Sequence, residues 1–439
     1  MNRFPLSLCI ACFATGTALA QHAQSSDQPD AAASDPAVTS YMQGFPPAAD
    51  RRISARDGSF FRFPALRYSV VHMREFLPTV NVARNNTAPL TPFDYALDNR
   101  IDTVTFVPTG QTEAITWRRS LDLNYTDGIL ILHRGRIVYE RYFGALSEQG
   151  VHAVMSVTKS FTGTLGAMLA AEGLLDPSKL VRDYIPELAD SGFGDATVRE
   201  VMDMTTSIRY SEDYNDPKAE VWDFSNAGNA LIDHPAGTPQ GFYDYLRTIR
   251  KAERHGNVFG YKTVNADLLG WLVATVSGRS VAALLEERIW SRMGMEQDGY
   301  YQVDALGTPY AGGGFNAALR DLGRFGEMIR CGGRWHGEQI LPASAIDEIR
   351  SGGDREAFAR SEYGAKLRGW SYRDMWWISH NDHGAFMARG VHGQAIYIDP
   401  AAEMVIVRLA SNPLAGNLAI DPLSLPAYAA VADYLMQQP

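Results

Sequence analysis

Residues 127–144 read DGILILHRGRIVYERYFG, two runs separated by Arg134-Gly135. Apolar and polar residues alternate on either side of that pair, the period of a strand, and a two-residue break of this kind reads as the tight turn of a β-hairpin. Residues 395–412, AIYIDPAAEMVIVRLASN, give two more such runs around Asp399-Pro400. Between them lie SFTGTLGAMLAAEGLLD, DATVREVMDMTT, NADLLGWLVATVSG, SVAALLEERIW and RDLGRFGEMIRCGG, each with apolar residues three or four apart, the period of a helix. Strands at both ends with helices between predict an α/β (α+β) sandwich: an antiparallel sheet flanked by helices, with a mostly helical lobe inserted. A site then belongs in the groove between the two parts.

Composition limits what such a chain does. It has 439 residues, 46% hydrophobic and 21% charged, enough for one large two-part domain or two domains. The net charge is −10 and no Lys/Arg run could neutralise a row of phosphates, so nucleic acid is not an expected partner. Arg3, an apolar stretch from about Phe4 to Ala14 and the small-residue ending Ala18-Leu19-Ala20 lay out a secretory signal peptide over residues 1–20. Cleavage after Ala20 predicts a periplasmic or secreted protein. Acylation of Cys12 is a weaker alternative, since Cys9 sits where lipidation signals usually carry an aliphatic residue. Cys9 and Cys12 leave with the signal, so Cys331 remains alone and no internal disulfide is expected. No other apolar run reaches the roughly 18 residues of a membrane span. Residues 21–40 are small and polar, a flexible leader by composition. Residues 41–125, rich in aromatics and Arg, read as an extension packed on the main domain, which covers residues 126–439. Composition does not reveal the oligomeric state.

Three stretches carry chemistry. In MSVTKSFTGTL, 155–165, an extended HAVM precedes Ser156, which therefore falls in the first turn of a helix running to about Gly173. Free N–H groups and the positive end of the helix dipole lie there, and the N–H of Ser156 can form half of an oxyanion hole. Lys159 is one turn further on the same face; held in a dry cleft it loses proton affinity and becomes a base for the hydroxyl. An S-x-x-K spacing arises about once by chance in a chain this long, so Ser156 as a mere cap and Lys159 as a solvated cation is the ordinary alternative. In FGYKTVNADLLGW, Tyr261 and Asn265 precede a helix. A phenol near basic groups can be acidified and carry a proton to a leaving group, although most tyrosines simply pack with their hydroxyl bonded. In MARGVHGQAIYIDP, Gly390 and Gly393 allow close approach of backbone and ligand at the start of a strand, which otherwise is only a hairpin entry.

Together these stretches resemble the serine β-lactamase and penicillin-binding-protein superfamily, whose signatures are S-x-x-K, Tyr/Ser-x-Asn and K-T-G in that order. The branch most similar is the class C-like group of family VIII carboxylesterases and 6-aminohexanoate-dimer hydrolases, through SVTKSFTGTLGAMLAAEGLLDPSKLVRDYIPEL, RYSEDYNDP, YKTVNADLLGW, GGGFNAALRDLGRFG and GVHGQAIYIDP. The resemblance covers about Asp127 to Pro439 and extends weakly upstream to Phe45-Pro46-Pro47. It implies a β-lactamase-like fold, Ser156 as acylated nucleophile, Lys159 as base, Tyr261 as proton shuttle and no cofactor. It also implies Tyr214 closing over substrate, Asn265 as a positioning amide, and His392-Gly393 at the substrate. The N–H groups of Ser156 and Gln394 would form the oxyanion hole.

Two departures bear on substrate. Y-x-N is stretched to Y-x-x-x-N, and Val391-His392-Gly393 replaces K-T-G, removing the lysine that usually meets a β-lactam carboxylate. The expected substrate is therefore a small ester or linear amide. A weak β-lactamase or D,D-peptidase, and a non-catalytic ligand-binding or sensor relative on the same scaffold, are the alternatives. Intact Ser156, Lys159 and Tyr261 weigh against pure binding. Of other hydrolase patterns, G-x-S-x-G is approached only at Gly278-Arg-Ser-Val-Ala, in a turn between helices. His380, His383 and His392 lie in a Gly- and Asn-rich stretch without a helical zinc motif, so no metal is expected.

Overall fold

The computed structural model describes residues 28–214 and 216–438. The expected signal peptide and the first residues of the leader lie outside them. Strand β1 (Thr79–Val82) comes from the extension, and β2 (Thr126–His133) and β3 (Arg136–Tyr142) form the hairpin read from the sequence. Arg134 and Gly135 both take positive φ, 51° and 75°, the geometry that lets a two-residue turn follow the strand twist. After β4 (Val151–Ala153) come helices α1 (Val157–Ala171), α2 (Val198–Met202), α3 (Val264–Ser277) and α4 (Val281–Arg288). Then follow β5 (Gly299–Gln302), β6 (Phe315–Ala318) and α5 (Leu319–Arg330). The chain finishes with β7 (Ser371–Arg373), β8 (Trp376–Ile378), β9 (Phe386–Gly390), β10 (Gln394–Asp399), β11 (Met404–Ala410) and α6 (Asn417–Met436).

The main sheet runs β7-β8-β9-β10-β11-β2-β3 and is antiparallel throughout. Its two hairpins, far apart in sequence, meet where Val405 faces Leu132 and Ile406 faces Ile131. Both faces are covered, which is why β2 carries four consecutive aliphatics, Ile129 to Leu132, all at 0% exposure. Helix α5 packs closely on one face, where any Cβ on Gly326 would come within 2.7 Å of Val405. Helix α6 covers the other, with Tyr428 5.1 Å from Tyr397. The inserted lobe between β4 and β7 holds α1 to α4; at its base Phe161 of α1 stacks on Phe325 of α5 at 3.9 Å. Truncating such a fully buried ring to alanine costs about 3–5 kcal/mol.

The sequence periodicity did not reveal α6, because Pro422 and Pro426 lie inside it. Pro426 has no N–H to give the carbonyl of Pro422, one turn earlier. The extension supplies the missing donor: Thr109 N–H reaches the Pro422 carbonyl at 2.8 Å. The extension adds β1 to a second sheet, β1-β5-β6-β4, and sends Ile101, Phe106 and Trp117 into the main core.

Part of the leader is described. Expected as flexible over residues 21–40, it is laid down against the body from residue 28. The buried Arg67 guanidinium binds the Ala31 carbonyl, Ser34 Oγ at 3.0 Å and Asp127 at 3.2 Å, and Ser34 is fully buried. Polar groups of the leader thus help to satisfy a buried cation. No single helix among the described residues is long and apolar enough to cross a membrane.

Candidate active site

Met155 takes a left-handed conformation (φ 49°) and turns the chain from β4 into α1, leaving Ser156 at the helix entrance. Lys159, one turn along, is 1% exposed; its Nζ lies 2.8 Å from Ser156 Oγ and donates to the Gly312 carbonyl at 2.7 Å. Among the described residues it forms no ion pair. Burial pushes its pKa down to about 8, against the opposing pull of Glu212 and Asp267. Gly312 must be glycine: a Cβ there would stand 2.5 Å from Thr263 Cγ2 and 2.6 Å from Asp267 Oδ2. The sequence flagged GGGF only as part of the resemblance; that one of these glycines holds the lysine emerges only in three dimensions.

Lys159 Nζ lies 5.1 Å from the Tyr261 ring centre, and the Ser156 hydroxyl is near enough to act on the phenol. Burial raises its pKa well above the usual phenol value, Glu212 raises it further, and the Ser156 hydroxyl and Arg389 pull the other way. The resting phenol is therefore protonated, a donor rather than a phenolate. The acidification expected from neighbouring cations is outweighed by burial, to which the acid Glu212 adds.

That acid, Glu212, was not singled out from the sequence. It accepts Tyr214 OH at 2.7 Å, Thr263 Oγ1 at 2.5 Å and the Thr263 N–H. Its signal lay in plain view, two residues before Tyr214 in SEDYNDP. Tyr214 is thereby held half-buried at the cleft, with Trp222 6.1 Å away.

Asn265 is the residue the structure moves away from the site. It is 0% exposed, its Oδ1 accepts Thr206 Oγ1 at 2.6 Å and its Nδ2 donates to the Lys262 carbonyl at 3.1 Å. Both ends of the amide are occupied inside the fold, so it shapes the loop carrying Tyr261 instead of meeting substrate. Thr263 stands two residues after Tyr261, where the Y-x-N pattern has its Asn.

On the sheet side, a Cβ on Gly390 would come within 3.0 Å of Ser156 N and 2.7 Å of the Val154 carbonyl, so the β9 end and the helix start touch. His392, at φ 63°, is neutral: burial pushes its pKa down to about 4, and its Nδ1 lies 2.7 Å from the Asn412 carbonyl. It clamps the turn to residues 412–415 and supplies no cation in place of the missing lysine. Gly393 has φ 98°, and the Gln394 side chain straddles Ala410, donating to its carbonyl at 2.6 Å and accepting its N–H at 2.9 Å. These bonds fix the start of β10. His380 and His383 are engaged separately, with Ser371 Oγ at 2.7 Å and Asp399 at 2.9 Å. Gly278 ends α3 in the left-handed conformation, φ 66°, which accounts for its place in the near-match G-x-S-x-G.

Residues 126–421 match the Beta-lactamase protein family. A 6-aminohexanoate-dimer hydrolase of Paenarthrobacter ureafaciens is 32% identical over 350 residues, 80% of this chain and 86% of that protein. A solved structure from Bacillus anthracis, provisionally named a 6-aminohexanoate-dimer hydrolase, superposes with a TM-score of 0.79 at 34% identity, over 88% of this chain and 100% of its own. A family VIII carboxylesterase shares the fold alone, with a TM-score of 0.52 at 16% identity over 72% of this chain and 96% of its own.

Proposed function

Because the chain belongs to the beta-lactamase family, we propose that it cleaves small esters or linear amides through an acyl-enzyme on Ser156. Its β-lactamase-like fold and its relatives make it a hydrolase of the amidase and esterase kind. The observation that carries the finer reading is the buried contact of Lys159 Nζ with Ser156 Oγ, 2.8 Å, at a helix start. At that distance a neutral amine accepts the hydroxyl proton as Oγ attacks the carbonyl carbon. Tyr261, protonated and beside the same hydroxyl, gives its proton to the departing amine or alcohol and recovers one from the Lys159 ammonium. Water then adds to the acyl carbonyl, returning a proton through the same pair and freeing the acid. No metal or organic group enters any step. The relatives' names favour a 6-aminohexanoate-type linear amide, and Val391 where K-T-G has lysine, with a neutral His392 beside it, weighs against a dedicated β-lactamase.

The test uses purified protein and Ser156→Ala with p-nitrophenyl butyrate, 6-aminohexanoate dimer and a chromogenic cephalosporin. Turnover of the ester or dimer by wild type, absent in Ser156→Ala, is expected. Equal turnover by both would sink the nucleophile, and silence on all three substrates would leave the scaffold as a ligand-binding one. Export is proposed on Arg3, the apolar stretch and Ala18-Leu19-Ala20; a periplasmic or secreted chain beginning at Gln21 is the expected product, and one retaining Met1 in the cytoplasm refutes it.

A further inference from the structure

Arg408 of β11 lies under α6, 4% exposed, with no acid of its own. Among the described residues it forms no ion pair. Its Nε donates to the Gly393 carbonyl at 2.8 Å and its Nη1 to Ser424 Oγ at 2.7 Å. The nearby carboxylate, Asp421, is occupied by Arg389 at 2.5 and 2.6 Å. Arg389 and Arg408 stand in one row across three strands, since Ala395 pairs with both. A guanidinium buried beside another, with one carboxylate between them, is an expensive arrangement unless its charge is used.

The carbonyl that Arg408 holds belongs to the peptide joining Gly393 to Gln394. The nitrogen of that same peptide is the Gln394 N–H, one of the two expected oxyanion donors. A cation on the oxygen of a peptide withdraws electron density from its nitrogen and makes the N–H a stronger donor, as hydrogen bonds in a chain polarise one another. The other donor has a parallel: the Ser156 N–H belongs to the Met155 peptide, whose carbonyl accepts Thr158 Oγ1 at 2.6 Å and Thr158 N at 3.0 Å. Both peptides are loaded at the oxygen, one by neutral donors and one by a fixed charge.

We propose that Arg408 is a positioning residue for the oxyanion hole, acting through the Gly393–Gln394 peptide to orient and strengthen the Gln394 N–H toward the negative oxygen of the tetrahedral intermediate. The inference rests on the acyl-enzyme reading of Ser156. Arg408 touches no substrate, and its effect is confined to steps in which a carbonyl oxygen gains charge.

The experiment compares full-length wild type, Arg408→Met, Arg408→Lys and Ser424→Ala, using p-nitrophenyl butyrate for turnover and phenylboronic acid as a tetrahedral adduct of Ser156. Loss of a whole oxyanion donor lowers kcat about 10²–10³-fold, and weakening one costs less. Arg408→Met should lower kcat about tenfold, leave KM within about twofold and weaken phenylboronic acid in step with kcat. Ser424→Ala, which keeps the Gly393 contact, should leave both near wild type. Arg408→Lys should fall between, and it carries the test if Arg408→Met does not fold. Unchanged kcat and boronate affinity in a folded Arg408 variant would overturn the inference. So would a loss in Ser424→Ala as large as in Arg408→Met, since that is the mark of a purely structural strut. A wild type that forms no Ser156 adduct by mass overturns the acyl-enzyme reading and this inference together; equal adduct formation in wild type and the Arg408 variants overturns the inference alone.

Discussion

Two buried cations flank the start of α1, Lys159 from the helix side and Arg408 from the sheet side. Each grips a backbone carbonyl, Gly312 and Gly393 respectively, and neither forms an ion pair among the described residues. Burial lowers the pKa of both. The ammonium falls to about 8 and can exchange a proton near neutrality, whereas a guanidinium starts so high that it stays charged. Similar surroundings thus yield a base on one side and a permanent charge on the other, and the choice of head group makes the difference.

The largest break in this comparison comes from giving the helix side the sheet side's chemistry. Lys159→Arg keeps a cation over Gly312 but removes the exchangeable proton, so acylation by p-nitrophenyl butyrate should fall at least about 10³-fold, near the upper end for loss of a general base. A stopped-flow burst close to wild type would show that Lys159 is no base. Gly312→Ala should come next. The added Cβ collides with Thr263 and Asp267, displaces the carbonyl from Lys159 and lowers kcat about 10²-fold, the scale of an ångström-level misplacement. Its thermal midpoint should fall as well, and an unaltered enzyme would mean that the carbonyl is not needed.

The smallest effect is the most diagnostic. Only neutral Lys159 is active, so kcat/KM should climb with pH through a midpoint near 8. Glu212 favours the charged lysine and so raises that midpoint; Glu212→Gln should move the climb to lower pH. A climb that moves upward, or a flat profile, would contradict the assigned base.

Much of this was legible because it is local. The hairpin turn at Arg134-Gly135, the helical periods of α1, α3 and α5 and the entry of Ser156 into a helix depend on neighbours within a few residues, and the structure brings Lys159 and Tyr261 to Ser156. Gly312 and Arg408 escaped because each acts on a residue remote in sequence, and nothing adjacent marks them; Glu212 does touch its neighbour Tyr214, but its bonds to Thr263 join stretches 51 residues apart. Asn265, expected from the resemblance as a positioning amide at a stretched spacing from Tyr261, has its amide engaged by Thr206, 59 residues earlier, a contact no local pattern reveals. Helix α6 was hidden by its prolines, whose unmet carbonyl is satisfied from the other end of the chain.

That last contact, Thr109 to Pro422, gives the extension a second character. Helix α6 carries Ser424 and so braces Arg408, while the extension fills a vacancy in α6 that the helix cannot fill itself. In thermodynamic terms residues 28–125 behave as a tethered ligand of the domain that follows, present at an effective concentration no free peptide could match. Removing them amounts to dissociating a partner, and α6 loses the donor that meets its Pro422 carbonyl.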